Sequence, residues 1–126
     1  MKFARIVFGI AAAWGLLVLT PMLFIFNTIG RKDPPPITHP QFYFGFVTVA
    51  LVFQFVFFII ATDPARFRPM IIPSVLEKAT YVAVCLILYL RGEVTVAQMA
   101  TAGPDLLLGI LFVSAYYTSR PRISLR

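Results

Sequence analysis

Four long apolar runs, at about Phe3–Ile29, Phe42–Ala61, Met70–Leu90 and Val94–Tyr117, take up almost the whole chain. Each reaches the roughly 20 residues that a helix needs to cross the hydrocarbon core of a bilayer. Hydrocarbon offers no hydrogen-bond partner to the backbone, so a spanning segment must be a helix or part of a closed barrel. Runs of this length without regular turn signals are helices. The chain has 126 residues, so little remains for a second unit. With 60% hydrophobic and 13% charged residues, the composition excludes a soluble domain of this size. The expected architecture is all-α: an antiparallel bundle of four transmembrane helices forming a single membrane domain over residues 1–126.

Interruptions in the runs refine this expectation. Pro21 is expected to kink helix 1, with the Thr20 hydroxyl helping to satisfy the freed backbone. Gly9, Ala13, Leu16, Thr20 and Asn27 share one side of that helix, whose small residues suit close packing. The basic start MKFAR followed by an apolar run also has the outline of a signal peptide, but the run is too long and lacks a well-placed small-residue cleavage site; it is expected to stay as the first span. Asp33–Pro36 and His39–Pro40 make an extended connector. Gly103–Pro104–Asp105 interrupts the last run, so helix 4 is expected to bend or break near Pro104.

Polar residues within the runs mark where chemistry could sit. On the third helix Ser74, Glu77, Lys78, Tyr81, Cys85 and Tyr89 fall within a sector of about 120°. An ionised side chain in hydrocarbon costs at least about 2.5–3.5 kcal/mol, so this stripe should face protein or a wet cavity. Gln54 is the strongly polar interior residue of the second helix and is expected to make an interhelical hydrogen bond. Asp105 shares a face with Gly109, Phe112 and Tyr116, which would turn its carboxylate toward the bundle; just after Pro104 it could instead serve as an early-turn residue favoured by the helix dipole. At about 1.5 Å per residue, Glu77 and Asp105 lie roughly 10 Å apart along the membrane normal. A direct carboxylate pair is not expected; Lys78, Tyr81 and a water or two would bridge the acids. The candidate ligand-binding set is therefore Gln54, Glu77, Lys78, Tyr81 and Asp105. A competing structural role exists for Glu77 and Lys78, because Ser74–Glu77 matches the S-x-x-E capping box and Lys78 could then snorkel to the headgroups. Arg66 and Arg68, beyond a turn capped by Asp63, suit phosphate headgroups.

Other classes are disfavoured. The net charge of +6 is explained by basic residues at segment ends, as membrane topology requires, and not by nucleic-acid binding. With one cysteine and one histidine, His39, the chain assembles no disulfide, haem, zinc or di-iron site, and no metal or other cofactor is expected. No nucleophile–base pair or phosphate loop is present, which points away from an enzyme. Four spans put both termini and the second loop on one side, with Lys2, Arg5, Arg66, Arg68, Arg120, Arg122 and Arg126. The other side has Arg31, Lys32 and Arg91. The positive-inside rule then makes both termini cytoplasmic.

The four short-looped spans, Asp63–Pro64 with Arg66 and Arg68, Glu77–Lys78, and Ala102–Gly103–Pro104–Asp105 resemble the uncharacterised relatives of the DoxX-like membrane proteins, over most of His39–Tyr117. That resemblance implies a small four-helix protein of the bacterial inner membrane. It also carries the association of the DoxX name with a quinone-oxidising system, but no catalytic residue. Three functions follow as expectations. The first is a non-enzymatic bundle, embedded in the lipid bilayer, that binds a membrane-protein partner or an apolar ligand. The second is a quinone- or lipid-linked redox accessory or enzyme, and the third a small proton-coupled transporter acting as an oligomer.

Overall fold

The computed structural model describes residues 2–120; Arg122 and Arg126, counted above for orientation, lie outside them. The described chain is helical without a strand: α1 (Lys2–Met22), α2 (Phe26–Lys32), α3 (Pro40–Thr62), α4 (Ile71–Leu90), α5 (Val96–Met99) and α6 (Gly103–Thr118). Four stretches are long and apolar enough to cross a membrane: Lys2–Met22, Pro40–Thr62, Arg68–Leu90 and Val96–Thr118. Their outer faces stay apolar, with Leu17 and Phe42 each 71% exposed and Leu90 74% exposed. Such a surface needs hydrocarbon around it, and the chain is a multi-pass membrane protein.

The first apolar run does not form one helix. Pro21 supplies no N–H and crowds the preceding turn, so α1 stops at Met22. Tight turns close from Leu23 N–H to Thr20 O at 3.2 Å and from Phe24 N–H to Pro21 O at 2.9 Å before α2 starts. The Thr20 side chain takes no part; the freed carbonyl of Met22 is met from α3, where the Tyr43 hydroxyl donates to it at 2.6 Å. Phe26 of α2 packs on Tyr43 and Phe44, with ring centroids 5.1 and 5.3 Å away, which ties the break to the second span.

Proline sets the other helix ends as well. Pro40 occupies the first turn of α3, where its missing N–H costs nothing. Asp63 stops α3 because the residue before Pro64 is driven to extended backbone, and its carboxylate accepts from Arg66 N–H at 3.3 Å. A 3₁₀ turn, Arg68–Met70, leads into α4. Pro69 and Pro73 both sit where a helix start has no carbonyl to address, so α4 begins at Ile71 and not after Ser74. At its far end Gly92 takes φ +75°, and Glu93 N–H and Gly92 N–H return to Leu88 O and Tyr89 O at 2.9 and 3.0 Å. This is a Schellman closure. The fourth span is interrupted as expected: α5 passes through a 3₁₀ turn, Ala100–Ala102, into α6 immediately before Pro104.

In the bundle α1 lies along α3, α4 along α6, and α1 joins the two pairs through α6; α3 and α4 meet only sparsely. The packing is solid at the end that carries the termini. There Phe8, Phe57 and Phe112 interlock, with centroid separations of 4.3 Å for Phe8–Phe112 and 4.9 Å for Phe57–Phe112. Ala4, Val7, Ala11, Ala12, Ile60, Ile71 and Ala115 surround them. The inward face of α1 is thus Ala4–Val7–Phe8–Ala11–Ala12–Gly15; Ala13, Leu16, Thr20 and Asn27, on the side expected to pack, are exposed.

Candidate intramembrane binding site

At the other half of the bundle α3 and α4 meet only sparsely, and the Phe46–Tyr81 ring pair is one of the few contacts across their seam. The space between them is a cavity of about 600 Å³, bounded by α1, α3, α4 and the fourth span. Its walls are mostly apolar or aromatic, with Trp14, Val18, Phe46 and Val49 among them. Its polar groups include Gln54, Glu77, Lys78, Tyr81 and Asp105, so all five residues singled out in the sequence converge on one space.

Lys78 is the centre of the polar group. Its Nζ donates to Asp105 Oδ1 at 2.9 Å and lies 3.5 Å from Glu77 Oε2. The lysine side chain is 8% exposed, the two carboxylates 25% and 26%. Gly109 permits this arrangement: a Cβ there would come within 3.3 Å of Lys78 Cβ, so its absence lets α6 approach the lysine stem. The ammonium also stands 5.3 Å from the centroid of the Phe57 ring, within range of its negative face. Lys78 therefore bridges the two acids, without a direct pairing between them. Tyr81 does not join this bridge; its hydroxyl meets Thr101 Oγ1 at 3.4 Å and its ring stacks on Phe46, centroids 5.8 Å apart.

Glu77 is not a capping residue. It lies at the seventh position of α4, and the Ser74 hydroxyl donates back to Met70 O at 2.8 Å instead of holding a helix start. The capping box that does form is Thr95–Gln98, where Gln98 N–H donates to Thr95 Oγ1 at 3.1 Å and Thr95 N–H to Gln98 Oε1 at 2.9 Å. The same Gln98 amide donates to both oxygens of Asp33, at 2.7 and 2.9 Å, and so ties the connector to the fourth span.

Gln54 is 2% exposed, and its amide donates to Ala50 O of its own helix at 2.7 Å, not across to another helix. The interhelical relation is steric: a Cβ on Gly15 would overlap the Gln54 side chain, so α1 has a glycine where the amide lies. Gly15, Trp14 and Phe46 escaped the sequence reading. Gly15 carried the readable signal, a small residue one span away from a buried amide. Arg68 and Arg66 differ. Arg68 Nε donates to Tyr116 O at 2.8 Å and its guanidinium lies 3.7 Å from the Tyr116 ring centroid, whereas Arg66 is exposed.

A second, apolar groove of about 420 Å³ runs between α4 and α6, past Ala79, Ala83 and Ile110. Lys78 and Asp105 border both spaces, so their ion pair is the partition between them. Among the described residues no group of three or more His, Cys, Asp or Glu is placed to hold a metal ion. No protein-family model, curated protein or solved structure matches the chain.

Proposed function

We propose that the protein is a non-enzymatic binding protein of the bacterial inner membrane, which takes an apolar, lipid-like small molecule from the bilayer into the space between α3 and α4. The observation that carries this reading is the cavity of about 600 Å³ with apolar walls and a cluster of ionisable groups on one side. Ligand sites have this character: mostly hydrophobic lining, a few convergent polar groups and volumes of about 300–1,000 Å³. The sparse α3–α4 contact supports lateral access, since lipid is the medium outside that seam. Ionised residues in hydrocarbon are costly, so Glu77, Lys78 and Asp105 call for a role that inert packing does not supply. The resemblance to the DoxX-like proteins agrees with a lipid-soluble ligand. The unequal placement of seven basic residues against three supports cytoplasmic termini. Impermeant maleimide labelling of a Gly92→Cys variant in intact cells tests that orientation, labelling being the expected result.

Native mass spectrometry of the detergent-purified protein, followed by extraction of what co-purifies, tests the binding reading. One apolar molecule per chain is the expected result. A chain that emerges empty, and that takes up no extracted membrane lipid saturably, overturns it.

A further inference from the structure

We infer that the ligand of this cavity is an amine-bearing amphiphile, held with its ammonium at Glu77 and its chain along the apolar wall. This rests on the binding reading above and adds the chemical class.

Charge is the first ground. Glu77 and Asp105 are two carboxylates served by one ammonium, and among the described residues no other basic side chain pairs with either. The cluster is therefore one basic partner short of its two carboxyl groups. Lys78 is committed to Asp105 by the shorter contact, 2.9 Å against 3.5 Å, so Glu77 is the carboxyl group less fully partnered.

Hydrogen bonding is the second. Glu77 Oε2 is buried and receives no hydrogen bond among the described residues. A carboxylate oxygen accepts, so its complement is an N–H or O–H donor, and of these an ammonium also supplies the missing basic partner. A quinone offers acceptor oxygens alone, and Lys78, the one ammonium here, is already turned to Asp105 and Glu77. A fatty acid would bring a third carboxyl group to a site that already has two for one lysine.

The wall is the third. Trp14, Phe46 and Tyr81 border the same space as Glu77, and their rings attract an organic cation through their negative faces. An ammonium amphiphile satisfies all three features together: charge, donor and aromatic wall.

The test compares three probes of one chain length, dodecylammonium, dodecanol and dodecanoate, on the full chain in a non-ionic detergent. Native mass spectrometry counts bound molecules. Bromine-labelled versions report occupancy by quenching Trp14, the only tryptophan, which borders the cavity. The expected result is one saturable dodecylammonium per chain, bound at least ~10-fold more tightly than dodecanol. Glu77→Gln and Asp105→Asn each leave one carboxyl group for one lysine, so in whichever variant folds the ammonium preference should fall to within about twofold of dodecanol. Dodecanol binding as well as dodecylammonium, or a preference that persists in a folded variant, overturns the amine assignment and leaves the binding site standing. Failure of all three probes to saturate overturns the site reading itself.

Discussion

Lys78 Nζ stands 2.9 Å from Asp105 Oδ1 and 3.5 Å from Glu77 Oε2, so a single ammonium joins the third span to the fourth and restrains a carboxylate of its own helix. Removing one member of such a cluster is different from removing all of it. A charge left without its partner retains the full cost of leaving water, whereas a wholly neutral cluster does not. Lys78→Met should therefore destabilise the bundle by about 3 kcal/mol. The triple variant Glu77→Gln, Lys78→Met, Asp105→Asn should recover most of that loss. Thermal unfolding in detergent, followed by circular dichroism, checks both; equal destabilisation of the two variants would refute the argument.

Gly15 and Gln54 form a second coupled pair. A methyl group at Gly15 displaces the Gln54 amide from its place against Ala50 O. Gly15→Ala should cost roughly 1–3 kcal/mol, as overpacking commonly does. In a Gln54→Ala background the same change should cost much less. A coupling energy of at least about 1 kcal/mol in the double-mutant cycle is the expected outcome. Strict additivity would show that the two helices do not meet there.

Gly45 offers a way to block the cavity without disturbing the fold. It borders the space, and a Cβ built on it has no neighbour within 4 Å. Gly45→Trp should lower ligand affinity by ~10-fold or more. Stability should be unchanged or raised by up to about 0.5 kcal/mol, because glycine inside a helix is a weak former. Ligand titration alongside thermal unfolding separates the two effects. Undiminished binding would place the ligand elsewhere.

Arg68 closes the carbonyl of Tyr116 near the end of α6 and covers its ring. Arg68→Lys keeps the charge but loses the planar donor that reaches both, so it should cost about 1 kcal/mol. Hydrogen exchange should quicken in the last turn of α6 and not in α1. Tyr116→Phe, which retains ring and carbonyl, should behave as the unaltered protein. An effect of Tyr116→Phe as large as that of Arg68→Lys would assign the contact to the phenol instead.

The spans themselves were legible in the sequence because length and apolarity suffice for them: 42–61 became Pro40–Thr62 and 70–90 became Ile71–Leu90. Asp105 as an inward group followed from helical periodicity, and a bridge through Lys78 from the depths of the two acids, though the expected bridge also included Tyr81, whose hydroxyl meets Thr101 instead. The inward side of α1 did not follow: Ala4, Ala11, Ala12 and Gly15 gather there, but Gly9 and Ala13 offer a rival small-residue side. Only the three-dimensional position of Phe57 and Phe112 selects Phe8 and Ala11 over Ala13 and Leu16. The two box-like motifs show how context decides between equal patterns. Ser74–Glu77 fails because prolines start the helix earlier, while Thr95–Gln98 succeeds directly after the extended backbone of Thr95. Gln54 illustrates the same limit, since an amide can serve its own helix as well as a neighbour.

The interlocked rings of Phe8, Phe57 and Phe112 have a consequence for traffic. They make the bundle a cup, closed at the end bearing the termini and hollow above, and not a tube. A guest taken up as proposed would meet this stopper below Lys78 and leave by the rim between α3 and α4. One-way passage to the other face would require the three rings to part, so the shape favours a vessel that fills and empties from the same side.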